Sequence, residues 1–199
     1  NDNIISLISD DNIERYDLSS LGFGIVDNLN RERRKLLIGK ILGKLKYIPF
    51  AQRREQTKQL LALHNAPSYP LKMASDQQLK QLNMFNITAA AHTHDHPILA
   101  VLPLEEQRAQ LQINRAHLAS NGLDSESLGF AYPNGKLTQD YTQQTATLVK
   151  EMGFSYAVTT HHGVCTPATN KYHLPRISPW EKRPLWFHLK LVKNLIFDT

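Results

Sequence analysis

The sequence predicts an α/β fold, and three observations predict it. After a break at Pro67-Ser68-Tyr69-Pro70, stretches with helical spacing alternate with short β-branched or aromatic runs, the pattern of strand–helix units that build a parallel sheet. Three segments of unusual chemistry, His92–His96, Tyr132–Gly135 and Thr159–Gly163, each directly follow one of those predicted strands. In such folds sites gather at the carboxyl ends of strands. Finally, 199 residues with 41% hydrophobic content can bury one sizeable core, so a single domain is the default.

Residues 1–70 read as a mostly helical region and residues 71–199 as the alternating part. Leu37, Ile38, Ile41, Leu42 and Leu45 recur at helical spacing among Lys40, Lys44 and Lys46, which predicts an amphipathic basic helix. Ala51 to Leu63 is a second helix. Beyond the Pro67–Pro70 break, Ser75 and Gln78 form a capping box for a short helix through Met84. Ile87 to Ala91 is a short apolar strand. Pro103 opens a helix whose Ala109, Ile113 and Ala116 share a face, ended by Asn121-Gly122. Leu128 to Tyr132 is a strand stopped by the turn Pro133-Asn134-Gly135. Asp140 to Met152 is a helix closed by Gly153, Phe154 to Thr159 is a strand, and Trp186, Leu189, Val192 and Ile196 mark a last amphipathic helix.

A single cysteine, Cys165, excludes an internal disulfide and a cysteine-based zinc cage. No apolar run approaches the roughly 20 residues that span a bilayer. The net charge of +5 is local, concentrated in Arg31-Glu32-Arg33-Arg34-Lys35 and the helix after it. A solvated helix face accounts for it better than nucleic acid, because no aromatics are interleaved to stack on bases. The chain opens on Asn1 rather than Met, so an upstream segment is expected and the lack of a signal peptide carries no information.

Three of the nine histidines fall in one pentapeptide, His92-Thr93-His94-Asp95-His96, directly after the apolar run Ala89-Ala90-Ala91. Histidine is the commonest metal-ligating side chain. On a strand, alternation would point His92, His94 and His96 to one face. On a turn leaving a strand, His92 and His96 would converge while His94 splays away. Either geometry suits a divalent ion of the zinc type, which takes neutral imidazole nitrogen readily.

His92-Thr93-His94-Asp95-His96-Pro97 followed by Phe130-Ala131-Tyr132-Pro133-Asn134-Gly135 resembles the polysaccharide deacetylases, carbohydrate esterase family four, and more closely their subgroup with a Phe-Ala-Tyr-Pro-x-Gly segment. Gly153 to Thr160 and Leu174-Pro175-Arg176-Ile177 extend the resemblance from about Met73 to Ile177. It implies part of a distorted (β/α) barrel, with residues 1–70 as a helical insertion before the histidine motif. It implies an enzyme that uses a divalent metal, Zn2+ foremost, to remove acetyl groups from N-acetylated sugars of a polysaccharide or oligosaccharide. Carried over residue by residue, the metal ligands fall on His92 and His96, with Thr93 bracing the loop and His94 and Asp95 in free positions. Tyr132 matches the residue whose backbone N–H helps hold the oxyanion, and Arg176 a late position that contacts the reacting acetyl group or another site residue.

Two parts of the family pattern are missing. The Thr-Phe-Asp-Asp-Gly strand that supplies the general base and third ligand has no counterpart, since Asp10-Asp11 is followed by Asn12. That strand is expected upstream of Asn1, which would leave this fragment alone inactive. The Leu-x-His motif of the catalytic acid is also not clear; His173 matches no motif, and His161 and His162 read as a surface loop. Two alternative readings follow. One is a non-catalytic carbohydrate-binding remnant of the fold. The other is a metallo-β-lactamase-like hydrolase, whose His-x-His-x-Asp-His motif is one residue longer between His94 and Asp95 and has no place for the Tyr132–Gly135 turn.

Overall fold

The computed structural model describes residues 2–67, 73–177 and 181–197, which form two compact units, Asn1–Met73 and Ala74–Thr199. The expected break at Pro67–Pro70 lies, from Ser68 on, outside the described residues.

The first unit contains helix α1 (Asp2–Ser9), strands β1 (Arg15–Asp17) and β2 (Ile25–Asp27), and helices α2 (Arg31–Lys46) and α3 (Phe50–Leu63). The two helices read from the sequence are both present. The antiparallel β1–β2 hairpin is an addition, paired through Tyr16 and Val26. Three-residue strands are too short to show a period of two, which is why periodicity missed them. Asn30 caps α2 by accepting the Arg33 N–H at 2.9 Å, and Leu37, Ile41 and Leu45 are buried.

The basic cluster has a structural use. Arg34 lies under the surface of this unit, its guanidinium donating to the carbonyls of Ile8 (2.7 Å), Asp10 (3.0 Å), Ile13 (3.2 Å) and Leu29 (3.2 Å). It also donates to the Tyr16 hydroxyl. These carbonyls include the end of α1, where orphan acceptors and the helix dipole both favour a cation. Lys44 likewise donates to the Leu21 carbonyl at 2.6 Å.

The second unit begins with the expected capping box, Gln78 N–H to Ser75 Oγ at 3.3 Å and Ser75 N–H to Gln78 Oε1 at 2.9 Å. Helix α4 (Asp76–Lys80) gives way to a 3-10 turn over Leu82–Phe85 rather than running on to Met84. Helix α5 (Leu104–Ser120), strand β3 (Gly129–Ala131), helix α6 (Gln143–Glu151), strand β4 (Tyr156–Val158) and helix α7 (Pro184–Phe197) follow. β3 and β4 are parallel, with Phe130 opposite Ala157. Ala91 bridges Phe130 on one side and Leu174 bridges Val158 on the other, both parallel. This α/β core is therefore a ladder of four adjacent parallel segments, and it brings the ends at Ala91, Tyr132 and Thr159 to one rim.

The extent of the Ile87–Ala91 strand and the start of α6 need correction, and two helical stripes prove exposed. Ile87–Ala91 pairs only at Ala91, because Ile87 is exposed and the run has no second face to bury. On α5 the stripe Ala109, Ile113 and Ala116 is exposed; Gln107 and Leu111 are buried, with Leu118 partly so. Gln107 tolerates that position because its amide donates to the Leu102 carbonyl at 2.9 Å, a polar exception that a hydrophobic count cannot anticipate. Helix α6 starts at Gln143, since Thr142 caps it and the buried Asp140 accepts the Lys136 N–H at 3.0 Å instead of joining the helix. On α7, Trp186, Leu189, Val192 and Ile196 do share a stripe, but it is exposed. No helix among the described residues is long and apolar enough to cross a membrane.

Replacing Arg34 with Leu should destabilise the first unit by about 2–4 kcal/mol, because several carbonyls lose a charged donor at once. Replacing the exposed Arg33 with Ala should change stability by less than about 0.5 kcal/mol. Urea unfolding followed by circular dichroism checks both, and equal losses would remove Arg34 from the centre of that unit.

Candidate metal and catalytic site

The histidine loop leaves the ladder at Ala91 and turns twice through left-handed backbone, at Thr93 (φ 63°) and His96 (φ 54°). These turns bring the rings of His92 and His96 edge to face, with centroids 4.8 Å apart at 73°. Of the two geometries open in the sequence, the turn is the one adopted. His94 stands apart from that pair, its Nε2 3.9 Å from the Asp95 carboxylate. The His92 Nδ1 lies 2.7 Å from the Ala131 carbonyl, an acceptor only, so in the neutral ring the proton sits on Nδ1 and the lone pair on Nε2. This is the second-sphere arrangement that prepares an imidazole for a metal.

Thr93 does not brace the loop as expected. Its side chain is buried, and its hydroxyl has no hydrogen-bond partner. The bracing comes from α5, where Asn114 Oδ1 accepts the His92 N–H at 3.0 Å. Gln110 accepts the Asp95 N–H at 2.8 Å and donates to the Asp95 carboxylate at 2.9 Å.

Two imidazoles side by side fit a zinc-type ion by donor chemistry, each offering a ring nitrogen. Among the described residues no group of three or more His, Cys, Asp or Glu side chains is placed to hold one. Asp10 and Asp11 belong to the first unit. There Asp10 Oδ1 accepts the Asn12 N–H at 3.0 Å to close a local turn, and the Asp11 side chain is exposed.

The turn after β3 is tightly specified. Asn134 and Gly135 both take left-handed backbone, and a Cβ on Gly135 would lie 2.7 Å from the Thr160 nitrogen. The Gly135 carbonyl accepts the Thr160 N–H at 3.1 Å, tying this turn to the one after β4. The Tyr132 N–H, matched by resemblance to an oxyanion donor, here donates to the Val158 carbonyl at 3.2 Å. It is committed to the ladder in this conformation. The Tyr132 side chain is core: it stacks on Tyr141 at 3.7 Å, and its buried hydroxyl donates to the Tyr172 carbonyl at 3.0 Å. Burial pushes that phenol far above the usual tyrosine range.

A cavity of about 620 Å³ opens beside this rim, lined in part by Lys136, Tyr141, Thr160, His161, His162 and His173. His161 and His162 are thus exposed loop residues that also face a cavity. Arg176 is exposed, and its backbone N–H bonds to the His161 carbonyl at 2.9 Å. Its guanidinium makes no hydrogen bond or ion pair among the described residues. His173 is the residue sequence reasoning undervalued. Its Nδ1 lies 2.8 Å from the Tyr141 hydroxyl and its Nε2 3.1 Å from Gln143 Oε1. Burial holds the Tyr141 phenol up at about 12, so its O–H donates to Nδ1 and His173 donates from Nε2 to Gln143.

With this geometry in place, the comparisons are direct. Residues 46–157 match the family model described as Polysaccharide deacetylase, and the chain belongs to that family. A solved structure similar to it is that of the Streptococcus pyogenes deacetylase PplD in complex with acetate, at 19% sequence identity and a TM-score of 0.49. The match covers 62% of this chain and 57% of that one, so this chain spans little more than half of that neighbour. No curated protein matches the chain.

Burial lowers the His173 pKa from 6.5, favouring the neutral ring in the fold. The unfolded chain therefore binds the extra proton first. The contribution of His173 to stability is complete above pH 6.5 and lost as pH falls from there through its lowered native value. His173→Gln should flatten the pH dependence of thermal unfolding over that window; an unchanged slope would show that the ring is not held neutral.

Proposed function

We propose that this chain carries the imidazole side of a metal-dependent deacetylase site that removes acetyl groups from N-acetylated sugars of a polysaccharide or oligosaccharide. The observation that carries this reading is the His92–His96 pair, edge to face at the rim of the parallel ladder, with His92 fixed in the tautomer that leaves Nε2 available. Bound there, a divalent ion, Zn2+ by donor type, would polarise the acyl carbonyl and bring the pKa of water toward about 7. The amide C–N bond breaks as water adds to the acetyl carbon, giving acetate and a free amine.

The chain's own residues hold the parts. Ala131 fixes the His92 ring, and the cavity beside the rim is large enough for a sugar unit, with Lys136, Thr160 and His161 to contact its hydroxyls. Arg176 is proposed to reach the reacting acyl group from the loop after Leu174. The oxyanion role suggested for the Tyr132 N–H requires that N–H to leave or share its bond to Val158. Carbohydrate is favoured over nucleic acid as partner because the basic cluster has no interleaved aromatics to stack on bases and two of its cations, Arg34 and Lys44, are spent on backbone carbonyls.

Zinc titration of the chain tests this reading. His92→Ala and His96→Ala should each weaken binding by more than about tenfold, and His94→Ala by much less. If His94→Ala is the most damaging, the ligand assignment is wrong. Acetate release from an N-acetylated oligosaccharide should be abolished by a chelator. From this chain alone it should be close to absent, because no described carboxylate stands with the two imidazoles to take the proton, and a missing general base costs about 10²–10⁴ in rate.

A further inference from the structure

The histidine loop is held from outside itself. Two of its residues, Thr93 and His96, occupy left-handed backbone that costs a non-glycine residue about 1–3 kcal/mol, with the greater strain at the β-branched Thr93. The buried Thr93 hydroxyl makes no compensating bond. Such a turn persists only when its surroundings over-determine it, and here those surroundings are two amides of α5.

We propose that Gln110 and Asn114 are the positioning residues of the metal-binding pair, setting the separation of His92 and His96 by clamping the loop at its first and fourth residues. This rests on the metal reading above. The two residues are four apart on α5, so they lie one above the other on one helix face. Asn114 Oδ1 takes the His92 N–H at 3.0 Å. Gln110 closes a two-bond ring on Asp95, accepting its N–H at 2.8 Å and donating to its carboxylate at 2.9 Å. The pattern fixes each amide's orientation, because a backbone N–H needs the oxygen and a carboxylate needs the NH₂. The Asp95 clamp lies immediately before His96, and the Asn114 clamp is on His92 itself. Between them they hold both ends of the double turn, while the Ala131 carbonyl fixes the His92 ring. Asp95 is thereby engaged as a structural anchor rather than as a base.

The clamp is anchored in turn. Gln107, one turn earlier on the same helix, is buried and bonded to the Leu102 carbonyl, and the next helical turn places Leu111 in the core. Gln110 and Asn114 thus project from a helix whose own rotation is fixed.

Competition of the chain with a chromophoric chelator for zinc decides the point, with thermal unfolding and circular dichroism confirming the fold. Alanine favours a helix interior, so Gln110→Ala and Asn114→Ala should retain α5. Each should weaken zinc binding about 10–100-fold with near-parental unfolding, and amide hydrogen exchange at His92 and Asp95 should accelerate. Asn114→Asp keeps an acceptor for the His92 N–H and should restore affinity to within about threefold of the parent. That rescue is one a general packing role would not produce. Parental affinity in both alanine variants, alongside loss in His92→Ala, overturns this proposal and leaves the metal reading intact. A parent chain that binds no zinc overturns the metal reading and this proposal together.

Discussion

The parallel pairing of Ala91, β3, β4 and Leu174 is the constraint on which the second unit's chemistry depends. A parallel ladder points every carboxyl end the same way, so the loops that begin at His92, Tyr132, Thr159 and Pro175 emerge along one rim. The pairing does more than align them. The Ala131 residue that donates its N–H to Ala91 at 2.8 Å also offers its carbonyl to the His92 ring. Sheet register and imidazole tautomer are therefore set by one residue, and a slip of one position would remove both.

The core beneath the rim is aromatic and polar at once. Phe130 and Phe154 contribute apolar area, whereas Tyr132, Tyr141 and Tyr172 each bring a hydroxyl that must find a partner when buried. They find carbonyls and, for Tyr141, the His173 ring. Stacking of Tyr132 on Tyr141 thus links a ladder residue to the wall of the cavity. Tyr132, whose backbone N–H the motif resemblance matches to an oxyanion donor, is in this way a pillar of the core, and its side chain is accounted for by stacking and by its bond to the Tyr172 carbonyl.

What was legible in the sequence follows from which forces leave a local trace. Helix α2 shows in its apolar spacing, α5 in its Pro103 start and Asn121-Gly122 end, and the Ser75–Gln78 capping box in its residue types. The convergence of His92 and His96 is one of two readings open in the pentapeptide, because left-handed backbone at the β-branched Thr93 runs against that residue's own preference. It is imposed by Gln110 and Asn114, which are 15 and 22 positions downstream of their partners. The buried face of α5 leaves no trace in the sequence for a related reason: Gln107 is core only because Leu102 accepts its amide proton. Strands as short as β1 and β2 show their pairing only in three dimensions.

The basic cluster shows how charge can be misassigned from composition alone. A run such as Arg31–Lys35 has the look of a solvated face, and Arg33 and Lys35 are solvated. Arg34 is different because the planar guanidinium offers five donors in a rigid fork, enough to satisfy carbonyls from the end of α1 and from both loops near it. Lysine, with one flexible point of charge, would reach one or two of them. The role therefore belongs to that residue type at that position, and in the first unit it makes one member of an otherwise solvated cluster the element around which α1, β1 and α2 are joined.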